Sequence, residues 1–550
     1  VIDRSQNRSQ KRTPFGPSST GDVCSNPPLW LLYPLVFAAV CLSHWTLLRL
    51  PYYWDEGGYY IPAALDFYRT GTLVPHFTNA HPPLPNVVLG ALWHLTGFRI
   101  LATRMMVCAF ASAALVAVFR LARNLLGAPA AFAITLLTAV YPIWFAQSSL
   151  AHADIFAAAF TLWGLSFYLL RGEPTGALDG ISRFAGGTYR LMVQTSVMFS
   201  LATMSKETAI VIPATLAALE IYLLFRDRKI SSLYRSRIRW VFCLIVPMLP
   251  LIVWYAYHHH VTGFTFGNPE YLRYNATDNF TFTHVYSALH FRFLHIFWQR
   301  NIWLPLTFAL ACLLLSARPP DEARPIAPSV LRVIYLLVAT NWLAFSILGG
   351  APLTRYLLPI YPLLLLVCVA TWRSRLRAWP LLACLTFAAF VSALWINPPF
   401  SFAPEDNLAY RDMIVVDQEV AAYLNQHYPQ AHVLTAWPVS NDLFCPDLGY
   451  TDRPFAVVAV QDFTPSEIAR VATRSADFDT AVVFSTHFAA PELQRYLYSH
   501  PASRRAADFS PAQLRTPTDI ARELGGSIVW QDDRRGEWAA ILRFSRPKAP

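Results

Sequence analysis

The chain has 550 residues, of which 55% are hydrophobic and only 14% charged, with a mean hydropathy of +0.34. Soluble globular chains carry roughly a quarter charged residues, so the composition excludes an ordinary soluble domain and marks a membrane protein. The net charge of +10 does not point to nucleic acid, because the arginines sit in short loops between apolar segments.

Residues 1–27 are polar and rich in Ser, Pro and Arg, which predicts a disordered cytoplasmic tail and not a signal peptide. A helix needs about 20 apolar residues to cross a hydrocarbon core. On that basis spans are expected near 28–50, 99–119, 129–147, 150–170, 188–204, 207–225, 240–257, 295–316, 331–348, 356–372 and 379–396, about eleven in all. The run 191–225 is too long for one span, since ~35 residues at ~1.5 Å each exceed a ~30 Å core. It must double back at its polar break, Ser205-Lys206-Glu207, which puts Lys206 at a membrane surface.

The basic residues order these spans. Arg4, Arg8, Lys11 and Arg12 precede the first; Arg120 and Arg123 follow the second, and Arg171 and Arg183 the fourth. Arg226, Arg228, Lys229, Arg235, Arg237 and Arg239 follow the sixth, Arg318 and Arg324 the eighth, and Arg373, Arg375 and Arg377 the tenth. All fall on one side, cytoplasmic by the positive-inside rule, which leaves the loop 51–98 and the region after 397 on the other. Cys41, Cys108, Cys243, Cys312, Cys368 and Cys384 lie in apolar spans. Cys24 and Cys445 are too isolated for a disulfide framework or a metal cluster.

Residues 398–550 change character. Short β-rich runs at His432–Ala436, Phe455–Val460, Thr480–Ser485, Ser527–Gln531 and Ala539–Phe544 alternate with helical patterns at Asp417–His427 and Pro465–Thr473. Such alternation predicts a small α/β domain. It carries no Gly-rich nucleotide-binding loop.

The loop 51–98 holds the unusual chemistry. Asp55-Glu56 stand just outside the first span and His81-Pro82-Pro83 follow, and ionisable groups at such depths are functional candidates. The same face receives His152 and Asp154 at the start of span four, Lys206, the run His258-His259-His260, and Arg355 at the start of span ten. Cations there suit the holding of a lipid-linked phosphate, and a carboxylate suits the proton of an acceptor hydroxyl. Plainer readings stand beside these. Asp55-Glu56 and Asp154 also suit helix starts, Lys206 also suits snorkelling, and Arg355 an interfacial anchor. Tyr59 and Tyr60 fit sugar stacking or an aromatic belt. His258–His260 fit a headgroup region or a metal site, although adjacent helical residues do not share a face. Glu220, inside span six near the inner face, is expected to be paired or snorkelling. Asn275-Ala276-Thr277 and Asn279-Phe280-Thr281 match the N-glycosylation pattern, which matters only in a eukaryotic secretory membrane. The residues alone reach as far as an outer-face membrane enzyme acting on a phosphate or a carbohydrate. A transporter or lipid flippase is the alternative, but it would place ionisable groups at the midplane, usually with an internal repeat. An outward ligand sensor would need no acidic pair in the first loop.

Four motifs go further. WDEGGYY…HPPL after the first span, AHADI at the opening of the fourth, MSKETAIVIP at the turn between the fifth and sixth, and TRYLLPIYP at the tenth resemble the GT-C glycosyltransferases. Within that superfamily the chain is most similar to the protein O-mannosyltransferase and lipid A aminoarabinose transferase group, over roughly residues 28–396, and its C-terminal domain resembles that of the bacterial members. The resemblance implies a mainly α, polytopic transmembrane GT-C domain over 28–397, with its first outer loop at 51–98, and a periplasmic α/β domain over 398–550. It implies an inverting transfer of a hexose or aminopentose from a polyprenyl-phosphate donor to a protein, lipid or glycan, on the periplasmic face of a bacterial inner membrane. Asp55 matches the family's catalytic acid position and is the expected base, with Glu56 beside it. Asp154 matches a second acidic position, orienting the acceptor or the first loop. Lys206 and Arg355 match cationic positions assigned here to the leaving phosphate. His81 precedes the Pro pair, as in the protein mannosyltransferases, where the aminoarabinose transferases often have Lys. Tyr59, Tyr60 and His258 are expected on the substrate side, and the loop 258–294 is a candidate lid. No cofactor is required; a divalent cation on the Asp-Glu pair is left open. Membrane lipids are the expected surroundings, and nucleic acid is not an expected partner.

Overall fold

The computed structural model describes residues 29–544 apart from 75, 77–80, 172–180, 227–230, 270–280, 320–324, 349–352, 399–401, 473–475, 486–494, 497–498 and 501–514. The tail 1–27, Asn275, Asn279 and part of the candidate lid 258–294 therefore lie outside the described residues.

The first two thirds of the chain is helical. Helix α1 (Leu29–Ser43) is followed by a turn-rich stretch and the first loop, which carries α2 (Ile61–Thr70) and α3 (Leu84–Thr96). Then come α4 (Ile100–Leu126), α5 (Ala128–Val140), α6 (Pro142–Gln147), α7 (Ala153–Leu169), α8 (Ile181–Ser205), α9 (Val211–Arg226), α10 (Ser231–Ile245) and α11 (Met248–Thr262). Further helices run over Phe282–Phe297, Trp303–Leu313, Pro328–Ile347, Ile360–Arg375 and Trp379–Trp395. Among the described residues, four helices are long and apolar enough to cross a membrane: Ile100–Leu126, Glu207–Arg226, Leu233–Thr262 and Pro328–Ile347. Other apolar helices, including α7 and Trp379–Trp395, are shorter. Length thus supports four crossings where about eleven were expected. Two of the differences have local causes. The first expected span, 28–50, is helical only to Ser43. The eighth, 295–316, is broken at Arg300-Asn301, which both take positive φ.

Large apolar side chains such as Leu35, Phe132, Val253 and Leu310 are exposed on the outside of the bundle. An apolar exterior of this kind fits a hydrocarbon surround and not water. Inside, α7 is buried along nearly its whole length and packs on both α4 and α8. Gly164 makes the second contact close, since a Cβ there would fall 2.7 Å from the ring of the fully buried Phe199.

Arginines close one end of the bundle. Arg373 donates to the carbonyl of Leu126 at the end of α4, and Arg375 donates to Leu315 at 2.5 Å. Beside them Glu220 is fully buried. It accepts from Tyr168 at 2.6 Å, from Arg237 at 2.9 Å and from Arg171. These guanidiniums sit where helix C-termini leave orphan carbonyls, and their charge complements the helix dipoles.

From residue 402 onward the chain builds an α/β unit. Five strands, β1 (His432–Ala436), β2 (Ala456–Val460), β3 (Thr480–Phe484), β4 (Ser527–Arg534) and β5 (Glu537–Arg543), form one sheet in the order β2-β1-β3-β5-β4. Strand β1 is parallel to both β2 and β3, and β5 is antiparallel to β3 and β4. The five expected runs all became strands, with ends moved by at most a few residues. The helix expected over 417–427 begins earlier, at Ala409, and packs on β5.

This unit grips the first loop of the helical part. Leu448 accepts a hydrogen bond from the Tyr52 amide at 3.0 Å, and the Tyr450 hydroxyl donates to the Tyr52 carbonyl at 3.2 Å. The Trp437 ring meets Trp54 edge to face, with centroids 4.8 Å apart, and Arg69 pairs with Asp447 at 2.7 Å.

The Gly164 contact makes a test of the packing. Gly164→Ala forces a methyl group into a ring that cannot move, so a loss of about 1–3 kcal/mol is expected. It should show as a lowered thermal midpoint of the detergent-solubilised protein. An unchanged midpoint would mean that α7 and α8 stand further apart.

Candidate functional site

The first loop puts its two adjacent acids to different uses. Trp54 has a positive φ of 41°, and residues Glu56–Tyr60 make a single wide turn of π-helix, a local irregularity common at functional positions. This turn points Glu56 inward, where it is fully buried. One carboxylate oxygen accepts from the Tyr53 amide at 2.8 Å; the other accepts from the Ala151 amide at 2.5 Å and from Arg104. Arg104 also donates to the carbonyls of Ser149 and Pro51, both at 2.7 Å. Glu56 is thus a tie between the first loop, α4 and the turn before α7.

Asp55 faces the other way and is ion-paired to Arg355. Arg355 is nearly buried and lies among three carboxylates. One terminal nitrogen bonds Asp55, the other bonds Glu405 at 2.5 Å, and Nε lies 3.5 Å from Asp154 Oδ2. That last contact is no hydrogen bond, and both Arg355 Nε and Asp154 Oδ2 are buried without a hydrogen-bond partner. Asp154 Oδ1 accepts from Lys206 Nζ at 2.6 Å, and the same ammonium lies 3.8 Å from the centre of the Tyr356 ring. Asp55 is the most open member, with 19% of its side chain exposed against 2% for Asp154.

The elements explain why these groups meet. Asp154 opens α7, where an acid suits the positive end of the dipole. Lys206 stands in extended conformation between α8 and a short 3-10 turn, Glu207–Ile210, at the polar break that the chain length required. Arg355 lies in a 3-10 turn, Thr354–Leu357, before the next helix. A small pocket of about 30 Å³ is lined by Asp154, Lys206 and Arg355 together with Thr208, Asn341, Ile212 and Phe345. Charged, polar and apolar side chains share its lining.

His81 is near this group. Its Nδ1 lies 2.9 Å from Glu207, and its ring stacks on Tyr60 at 5.7 Å. Tyr60 is itself buried between His81 and His152. Tyr59 is only half-buried. His258 is buried in the turn that ends α11, bonded to the Phe264 carbonyl at 2.7 Å, and is not brought to the Arg355 cluster. Among the described residues no group of three His, Cys, Asp or Glu side chains could hold a metal ion.

Two members were missed by sequence reasoning. Glu405 and Asp406 occupy a short turn, Pro404–Asp406, between the last apolar helix and the α/β unit. Asp406 accepts from the Thr354 hydroxyl, next to Arg355, and lies 3.9 Å from Arg300. Burial raises the pKa of both acids, with Glu405 pushed up to about 7 despite the Arg355 charge. The signal was available: an acidic pair a few residues beyond an apolar span, the same pattern that singled out Asp55-Glu56.

Residues 80–255 match the family model described as dolichyl-phosphate-mannose-protein mannosyltransferase. Among solved structures the chain is similar to ArnT from Cupriavidus metallidurans bound to undecaprenyl phosphate. The TM-score is 0.50 at 14% identity, over 93% of this chain and 97% of that one. The apo state of the same ArnT gives a TM-score of 0.51 at 14% identity, over 94% and 98% of the two chains. The chain has the GT-C fold. The resemblance carried by the WDEGGYY, HPPL, AHADI, MSKET and TRYLLP motifs is borne out. No curated protein matches the sequence.

The division of labour between the two acids of this GT-C chain can be measured. Glu56→Ala leaves Arg104 buried without its carboxylate, a change that costs about 3–5 kcal/mol. Asp55→Asn leaves Arg355 with two further acids and should cost about 1 kcal/mol or less. Thermal unfolding should therefore rank Glu56→Ala well below Asp55→Asn, and equal midpoints would remove Glu56 from the tie described above.

Proposed function

We propose that the protein is an inverting glycosyltransferase that takes its sugar from a polyprenyl-phosphate donor. The observation that carries this reading is the Asp55–Arg355–Asp154–Lys206 cluster, three members of which line a small pocket shared with apolar side chains. A donor of this class is one anionic phosphate joined to a hydrocarbon chain, and the two cations of the cluster suit the phosphate. The family match over 80–255 and the likeness to an ArnT bound to undecaprenyl phosphate support the same class.

In the proposed reaction the acceptor nucleophile attacks the anomeric carbon while the bond from that carbon to the phosphate oxygen breaks. The acceptor proton passes to Asp55, the most exposed acid of the cluster. The electron pair leaves on the lipid phosphate, whose charge Arg355 and Lys206 offset; charge preorganised in this way is usually the main source of an enzyme's rate enhancement. Asp154 holds Lys206 in place. Before the step, Asp55 must be released from Arg355, which the incoming phosphate does by competing for the same guanidinium.

The membrane domain is assigned to 28–397 and the outer α/β domain to 398–550. The arginines closing the far end of the bundle favour the cytoplasm for that end and so the periplasmic side of a bacterial inner membrane for the cluster. The acceptor is a protein, lipid or glycan group.

Purified protein in lipid nanodiscs, offered radiolabelled polyprenyl-phosphate sugars with and without acceptor extract, tests this. Wild type should release or transfer one sugar. Asp55→Asn should lose about 10²–10⁴-fold in rate while still binding donor. Equal rates in the two proteins would take Asp55 out of the mechanism, and no turnover with any donor would favour a transporter instead.

A further inference from the structure

We propose that Glu405 is the positioning residue for Arg355, and that it serves the anionic donor in its neutral, protonated form. The proposal rests on the donor reading above and adds to it a residue, a domain and a proton.

The geometry sets the problem. Arg355 and Lys206 are the two cations of the cluster, and Asp55, Asp154 and Glu405 are its three carboxylates. Asp406, on the same turn as Glu405, is opposed by Arg300 and Arg292, so with every acid ionised the four carboxylates balance four cations. A lipid phosphodiester then leaves one negative charge in excess. Like charges at such separations disfavour one another strongly, so one acid gives way by taking a proton.

Two of the three are poor choices. Asp154 bonds Lys206 at 2.6 Å and also faces Arg355, so its ionised form is doubly supported. Asp55 is the more solvated acid and the proposed base, which must be ionised to work. Glu405 is buried and meets a single cation, Arg355. Asp406, Asp55 and Tyr53 around it disfavour its charge, and the buried cations Arg300 and Arg292 act on the neighbouring Asp406. Its pKa of about 7 is consistent with this.

Protonation costs Arg355 nothing in placement. A neutral carboxylic acid still presents its carbonyl oxygen to the guanidinium N–H, so the 2.5 Å contact to Glu405 Oε1 keeps the fork aligned. What changes is that Glu405 no longer cancels the positive charge, which is then directed at the phosphate. The proton comes from solvent as the donor binds. Because Glu405 belongs to the turn that leads into the α/β unit, that unit supplies a part of the donor site.

The sign follows directly. Anionic donor binds best where Glu405 is protonated, below about pH 7, and is bound more weakly as pH rises through that value. The probe is the monomethyl ester of undecaprenyl phosphate, a sugar-free phosphodiester whose charge stays fixed across the range. Its affinity for the full-length protein in nanodiscs is measured between about pH 6 and about pH 8 for wild type, Glu405→Gln, Glu405→Ala and Arg355→Ala. Wild type should weaken about tenfold over that interval. Glu405→Gln, which mimics the neutral acid and keeps the acceptor oxygen, should bind as wild type does at the lower pH and change by less than about twofold. Glu405→Ala, which loses the acceptor, should be about tenfold weaker throughout. A wild-type slope retained in Glu405→Gln, or wild-type affinity in Glu405→Ala, overturns the proposal while leaving the donor reading intact. Equal binding by wild type and Arg355→Ala overturns both.

Discussion

A single buried guanidinium holds the polar end of this protein together. Arg355 is almost wholly removed from solvent, and an unpaired charge in such a place costs several kcal/mol. Its burial is tolerable only because carboxylates reach it from the first loop, from the start of α7 and from the turn at 404–406. The most distant of them, Asp55, lies 300 residues away in the chain. The requirement to satisfy one side chain therefore decides which loops of the helical bundle must meet, and with them the α/β unit.

The first loop is held from two sides so that Asp55 can face that guanidinium. Below it, Glu56 joins Arg104 and the amide of Ala151. Above it, the α/β unit lays Leu448 and Trp437 against the two glycines that follow. A Cβ on Gly57 would lie 3.1 Å from Leu448, and one on Gly58 would lie 3.1 Å from the Trp437 ring. The pair Gly57-Gly58 is thus a packing requirement and not a sign of flexibility. The sequence WDEGG reads, in physical terms, as one outward acid, one inward acid, and two residues small enough for another domain to close over them.

How much of this was legible follows the range of the interactions. Asp55, Asp154, Lys206 and Arg355 were found from sequence because each stands at the edge of an apolar run, where charge is expensive and so informative. The strands of the α/β unit were found because their pattern is local. The direction of Glu56 was not, because it depends on one π-turn that rotates neighbouring residues to opposite sides. The burial of Tyr60 was not legible either, because His81 and His152, which enclose it, come from other parts of the chain. Glu405 was legible as half of an acidic pair beyond an apolar span, but its partner was not. The contact with Arg355, fifty residues upstream, is one that only the closed fold creates. The interruption of the span expected over 295–316 was hidden as well, because a count of apolar residues cannot see the break at Arg300-Asn301.

The two ends of the bundle treat their buried acids differently. Glu220, at the arginine-rich end, has both carboxylate oxygens engaged, one by Tyr168 and Arg171 and the other by Arg237. A carboxylate so saturated has little capacity left for a proton or a ligand; its work is to hold α7, α9 and α10 together. Asp154 resembles it in burial but not in satisfaction, since Oδ2 has no hydrogen-bond partner and the Arg355 Nε opposite it is also unmatched. Structural ion pairs elsewhere leave buried donors unmatched as well, Arg104 Nε and Arg171 Nη1 among them, so the 3.5 Å gap does not by itself set this pair apart. Access does: Asp154, Lys206 and Arg355 line a small pocket, and Asp55 beside them keeps 19% of its side chain exposed, whereas Glu220 is sealed in the bundle.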